Sequence, residues 1–265
     1  YLWEAVVWKS EDSVVQRGYD MSYLNPVIFF RTVEFQLGNP SPDNVLMGAG
    51  FRYRPVRWIK FYGQALVDEF HLQDLKNQTG WWANKFAMQA GIKTRFTPNA
   101  HQINLTTEVN MARPFTYSHI QSMQNYGSRY HPLAHPLGAN FGEFLLAAQW
   151  QHKRWSAWFK TAMTATGTDT DEVNYGQNIY RSYTDRASEY NHEWLQGNLQ
   201  KHISADVALG YTINVAMQLK ISAGARRQAN INRAGNSNRY FNEYYLRLST
   251  YLTQDMKRLY RKEFY

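Results

Sequence analysis

Two stretches of the sequence concentrate the side chains that could do chemistry. Residues 113–141 hold Tyr117, His119, Tyr126, Arg129, Tyr130, His131 and His135. Residues 166–200 hold Tyr175, Tyr180, Arg181, Tyr183, Arg186, Tyr190, His192 and Trp194. Aromatic faces stack on sugar rings, and the flat guanidinium fork pairs with uronate or phosphate oxygens. Tyr117, Tyr126, Arg129, Tyr130, His131, His135, Tyr175, Tyr180, Arg181, Tyr183, Arg186 and Trp194 are therefore candidates for a glycan-binding surface. The plainer alternative is that the same residues are the packing of two long loops folded over a scaffold. His131 and His135 invite a metal reading, but Pro132 and Pro136 follow them directly, so no helix presents both imidazoles to one ion. The run Gly167-Thr168-Asp169-Thr170-Asp171-Glu172 offers hard oxygen ligands without EF-hand spacing, which favours a solvated acidic loop. No Gly-x-Ser-x-Gly elbow and no phosphate-binding glycine loop occur. Asp68 and Glu69 are adjacent, so in an extended chain they point to opposite faces and cannot share one substrate. No catalytic, cofactor or metal residues are assigned, and the expectation is a protein that is not an enzyme.

The elements that must position these loops alternate with a period of two. Residues 58–70 put Ile59, Phe61, Gly63, Ala65 and Val67 on one face and Lys60, Tyr62, Gln64 and Asp68 on the other. Residues 86–96 and 102–112 repeat the pattern, as do segments around 144–150, 155–165, 203–211, 217–225 and 244–252. Such alternation means strands. None of these eight apolar faces carries Lys, Arg, Asp or Glu. A charge-free face on strands of about eleven residues fits a bilayer, where a midplane Arg or Lys costs about 2–4 kcal/mol. Aromatic residues close several of the faces, as interfacial girdles do. Lys60, Asp68, Lys93, Arg95, Glu108, Lys160, Lys220 and Arg247 fall on the opposite, lumen-facing side, where they would plug the interior or line a pore.

Composition agrees. The chain of 265 residues has 19 Tyr, 14 Phe and 9 Trp, yet its mean hydropathy is −0.59. No stretch is apolar enough for a membrane helix, whereas alternating strands average to a hydrophilic chain. The formal charge of +8 suggests a polyanionic neighbour, and dispersed Lys and Arg argue against nucleic acid. The absence of Cys decides little. Connections alternate between long (about 71–85, 113–141, 166–200, 227–240) and short (97–100, 152–154, 212–215). That is how outer-membrane barrels divide external loops from periplasmic turns. Strands are also expected near 1–8, 26–37 and 44–54, which makes eleven. An odd count in one chain implies further N-terminal strands or a partner that closes the barrel.

At Asn25-Pro26-Val27-Ile28-Phe29-Phe30-Arg31-Thr32-Val33-Glu34-Phe35, Pro42-Asp43-Asn44-Val45-Leu46-Met47-Gly48 and Tyr62-Gly63-Gln64-Ala65-Leu66-Val67-Asp68-Glu69-Phe70 the chain resembles the Wzi-like capsule-assembly family of outer-membrane barrels. The blocks at 132–141 and 174–183, and the end at 259–264, are similar to its Bacteroidota branch, which includes gliding-motility proteins of the RemB type. The resemblance implies a bacterial outer-membrane location with long loops outside and the C-terminus in the periplasm. It implies a non-enzymatic surface role, retaining polysaccharide or organising surface machinery, with lipopolysaccharide, polysaccharide or other complex subunits as partners. A diffusion channel or transporter, and a structural subunit of a secretion or motility complex, are the alternatives. The expected fold is thus an all-β, transmembrane, antiparallel up-and-down β-barrel formed by residues 1–265.

Overall fold

The computed structural model describes residues 1–10, 18, 21–24, 30–36, 43–232, 235 and 237–250. The chain is all-β. In order it forms β1 (Leu2–Val7), α1 (Phe30–Gln36), β2 (Asn44–Val56), β3 (Ile59–Glu69), α2 (Leu72–Lys76), β4 (Lys85–Phe96) and β5 (His101–Ala112). Then come β6 (Gly127–Ser128), β7 (His131–Pro132), β8 (Phe141–His152), β9 (Trp155–Thr168), β10 (Asn198–Asn214), β11 (Leu219–Asn232) and β12 (Ser237–Ser249). Ten of these strands make one sheet in the order β1-β2-β3-β4-β5-β8-β9-β10-β11-β12, every pair antiparallel, and β6 and β7 pair apart from it. Among the described residues, β1 and β12 each pair on one side only.

The register explains why alternation was so clear. Phe61 lies opposite Ile92, Ile92 opposite Thr107, Thr107 opposite Leu146, and Leu146 opposite Thr161. Apolar residues therefore meet apolar or hydroxyl neighbours across every ladder. This face is open rather than packed: Val207 is 52%, Leu209 50% and Leu246 75% exposed. Lys201 and Arg227 join it only toward the long-loop end, where Arg227 stacks over the Tyr240 ring at 5.9 Å. At the short-turn end Trp58 meets Phe96 (5.1 Å) and Trp155 meets Tyr211 (5.0 Å). His101, Trp150 and His152 form a stacked row beside them. On the polar face Gly91 has no room for a Cβ because the Tyr62 ring lies across it from the neighbouring strand.

Three expectations are corrected. The strand expected at 26–37 is helical over Phe30–Gln36, and the rest of that span lies outside the described residues, so the main sheet has ten strands among the described residues rather than the expected eleven. Phe30 packs edge-on to Tyr23 at 5.7 Å and Val33 is buried, so two apolar residues three apart share a helical face. The Phe30 N–H donates to the Glu4 carboxylate at 2.8 Å, and Arg31 reaches the Val45 carbonyl. The long loop expected at 227–240 is mostly strand, because β11 and β12 continue to Asn232 and from Ser237. Above Ala225 both faces mix polar and apolar residues, so the ladder persists where the clean alternation disappears. Asp68 and Glu69 do not part to opposite faces to act separately: the register slips between Val67 and Glu69, and both approach Lys85. The similarity at 259–264 lies outside the described residues.

Candidate functional site

The three long connections, residues 70–84, 113–140 and 169–197, fold into one cap over the polar face. Its first anchor is Lys85, at the start of β4 and wholly buried. The Lys85 ammonium donates to Glu69 at 3.0 Å and to the Ser118 carbonyl at 3.1 Å, and lies 3.8 Å from Asp68. It faces the Tyr183 ring at 4.9 Å and the Trp82 ring at 5.4 Å. Asp68 in turn accepts the Tyr117 N–H at 3.0 Å. Strand ends and all three loops thus meet at one desolvated cation. Burial pushes the Tyr183 hydroxyl up to about 12 and raises the Tyr117 hydroxyl as well. Burial, with the Lys85 charge nearby, pulls the His119 imidazole below its ordinary value.

The second anchor is Asn140. Its amide donates to the Gly167 and Gln196 carbonyls at 2.7 and 2.9 Å, and its carbonyl accepts the Leu195 N–H at 2.8 Å. Asp169 organises the loop beyond it, accepting the Tyr175, Gln177 and Asn178 N–H groups at 2.6, 3.3 and 2.9 Å. That carboxylate, a candidate calcium ligand by type, is taken up by its own loop. Among the described residues no group of three or more His, Asp or Glu could hold a metal ion. The third anchor is His135, stacked on Phe141 at 4.3 Å and 3.2 Å from Glu143 on the polar face.

These anchors sort the candidate glycan residues into two groups. Tyr117 belongs to a buried core with Leu46, Leu66, Phe141 and Ile179, and Tyr126 packs against it. Tyr183 and Arg186 cover Trp82 at 4.5 and 4.4 Å, and Arg186 pairs with Glu189. Tyr175 lies against Gly197, and Arg181 donates to the Thr170 carbonyl at 2.7 Å. Trp194 sits on the apolar side over Gly142, its indole N–H donating to the Phe141 carbonyl at 3.0 Å. The second group is open to solvent. Arg129 and Tyr130 form the tip of the β6–β7 hairpin, with Tyr130 85% exposed, and His131 is exposed beside them. Half-buried Tyr180 joins this tip to the core: it lies 5.7 Å from Tyr130, rests on Gly127 and packs against the Leu46–Ile179 cluster. An aromatic–basic tip standing on a packed cap is what the loops present outward.

Beneath the cap a cavity of about 230 Å³ is lined by Trp3, Leu66, Tyr117, Tyr126 and His135, among others. The charges of the polar face divide into two networks. Glu108 accepts from Tyr62, from Gln89 at 3.1 Å and from Asn110 at 3.0 Å, while Asn110 also donates to Glu143 at 2.9 Å. Lys93, opposite Lys60, lies 5.1 Å over the Tyr62 ring. In the other network Arg226 grips Asp206 at 2.8 and 2.9 Å and reaches Glu243, and Tyr245 donates to Asp206 at 2.8 Å. Arg247 covers Tyr245, Lys160 stands opposite Asp206, Lys220 crosses Gly210, and Arg95 donates to Gln102. Asp68 is the one member of the predicted lumen set drawn into the cap instead.

Sequence reasoning missed Lys85, Trp82, Asn140 and the role of Asp169. Their partners lie far away in the chain, as when the Trp82 indole donates to Glu189 across 107 residues. No family model matches this chain, and no curated protein matches it.

Proposed function

We propose that this chain is the wall of a bacterial outer-membrane β-barrel of the Wzi-like capsule-assembly kind, and that it acts without catalysis at the cell surface. In this reading the sheet closes through strands outside the described residues or through a partner. The cap faces outward, and its exposed tip retains or organises surface polysaccharide or surface machinery. The observation that carries the reading is the apolar face: large side chains exposed on most of the long strands, without a charge between the aromatic row at the short turns and the level of Lys201 and Arg227. Water would leave that area unfavourably solvated, whereas lipid hydrocarbon matches it. Long connections gathered at one end and short turns at the other support the same orientation.

Two measurements test it. The folded chain should partition with outer membranes and migrate faster unboiled than boiled in detergent gels; recovery as a soluble species with Ile92, Leu105 and Ile221 protected would end the membrane reading. Purified protein should retain acidic surface polysaccharide, and replacing Arg129 and Tyr130 together with Ala should weaken that retention at least several-fold while the gel mobility stays native. Unchanged retention would remove the hairpin tip from the function.

A further inference from the structure

The apolar face is not evenly filled. Near the long-loop end one rung reads Met88, Met111, Gly142, Ala165 and Lys201 across five strands, each directly opposite the next. Its middle drops to bare backbone and a methyl group between long side chains. The next rung toward the short turns reads Ala90, Val109, Phe144, Met163 and Ile203, so it rises again below the gap. The result is a groove of about 650 Å³ on the apolar side, with both rungs in its lining.

The cap supplies a wall to this groove. Trp194 lies over Gly142, where an added Cβ would stand 2.7 Å from the ring, so the glycine is what admits it. The ring cannot drift, because its indole N–H is held by the Phe141 carbonyl and the N–H of the next residue, Leu195, by the Asn140 side chain. Lys201 also lines the groove, and among the described residues it makes no ion pair. An apolar floor with a fixed indole and an unneutralised ammonium at its margin asks for a ligand that is apolar over most of its area and anionic at one end. The floor is also wide: five strands at a spacing of about 4.8 Å span about 19 Å. Several acyl chains fit side by side there, under a single cation.

We propose that this groove seats the acyl chains of a phosphorylated, multiply acylated glycolipid, with Lys201 at its phosphate and Trp194 at the boundary between chains and head group. The site rests on the membrane reading above and adds a leaflet and a lipid class to it: the lipid is held at the long-loop rim, beneath the cap. A basic residue at the membrane surface contributes about a fivefold preference for an anionic lipid, which is the share expected of Lys201.

The test is native mass spectrometry of the detergent-solubilised chain with three probes added separately: the phosphorylated lipid anchor of lipopolysaccharide, its dephosphorylated form, and phosphatidylglycerol. The wild type should retain the phosphorylated anchor best and the dephosphorylated form about fivefold less. K201Q should erase that difference and leave the dephosphorylated form bound as before. A165F, which fills the floor between Gly142 and Lys201, should weaken both forms at least several-fold while the unboiled gel mobility stays native; should A165F fail to insert into phosphatidylcholine vesicles, A165L tests the same space. R227Q, on the same face but outside the groove, should bind like the wild type. Equal loss in R227Q and K201Q would reduce the site to diffuse charge and overturn it, as would an A165F protein that binds like the wild type. Phosphatidylglycerol retained as well as the anchor would make the groove a seat for any acyl lipid and overturn the glycolipid assignment. Failure of the wild type to insert into any vesicle would instead sink the membrane reading itself.

Discussion

Val207 offers the sharpest perturbation of the wall. It lies near the middle of β10, is 52% exposed, and faces Phe159 and Ala225 on the neighbouring strands. If the apolar face meets lipid, Val207→Arg places a guanidinium near the bilayer midplane and costs about 2–4 kcal/mol, roughly 30-fold to 900-fold in the folding equilibrium. If the face meets water, an exposed Val→Arg change stays within about 0.5 kcal/mol, about a factor of two. Ile213 supplies the internal control. It is 46% exposed and lies on the same strand past the Trp155–Tyr211 contact. Six residues at about 3.3 Å each separate the two positions by about 20 Å along the strand. Ile213→Arg should therefore cost only about 0–1 kcal/mol, as expected near the interface. The assay is denaturant-driven folding into phospholipid vesicles, followed by tryptophan fluorescence and unboiled gel mobility. Equal costs at the two positions, or a Val207→Arg cost under about 0.5 kcal/mol, would refute the placement of this face in lipid.

Two further outcomes concern the cap. Lys85→Met should cost about 3–5 kcal/mol, because it leaves Asp68, and Glu69 beside it, without their shared cation in a buried setting; a change in the unfolding midpoint of the detergent-folded protein too small for 1 kcal/mol would show that the cation is not what ties the loops. His119 titrates below its ordinary range because it is buried near Lys85. The unfolded chain then binds more protons below the unperturbed value of about 6.5, so the stability owed to neutral His119 is present above that pH and is lost as pH falls through it toward the folded value. His119→Gln should flatten the fall in melting temperature between neutral and mildly acidic pH, and an unchanged slope would exclude His119 as a contributor.

The strands were legible because period two persists for eleven or more residues with a single apolar parity, which no helix imitates. The segment at Phe30–Gln36 was not, since in seven residues a spacing of three is hard to distinguish from a spacing of two, and the contacts from Glu4 and to Val45 that favour the helix come from elsewhere in the chain. The upper parts of β11 and β12 were hidden for another reason. Arg226, Arg227, Gln228 and Asn230 interrupt the apolar residues so that neither face is uniformly apolar, while backbone pairing to Asn232 needs no such face. The bulge at Asp68 illustrates a third limit. One slipped residue reverses a parity argument, and the slip is set by the partner strand. For the loops, residue type located the region but not the arrangement. Tyr117 and Tyr130 are alike in sequence context, yet one is core and the other is 85% exposed.

The exposed tip has a property that bears on what it can bind. Arg129 and Tyr130 both adopt positive φ, 48° and 62°, at the centre of a two-residue hairpin turn. Turns of this kind favour Asn and Gly, and side chains with a Cβ pay about 1–3 kcal/mol each for such conformations. Here the conformation is held by the β6–β7 pairing, by the Tyr180 ring on Gly127, and through Asn125, whose side-chain amide donates to the Ile179 carbonyl in the cap core. A Gly pair would make an easier turn but would present nothing. Keeping Arg and Tyr there fixes the backbone directions from which one ring and one guanidinium project before any ligand arrives. Because little backbone freedom remains to be lost on binding, even a small contact with a flexible polymer can be retained. Replacing the tip by Asn-Gly should accordingly leave the cap as stable or more stable while weakening the proposed polysaccharide retention at least several-fold, which would separate a role in recognition from any role in folding.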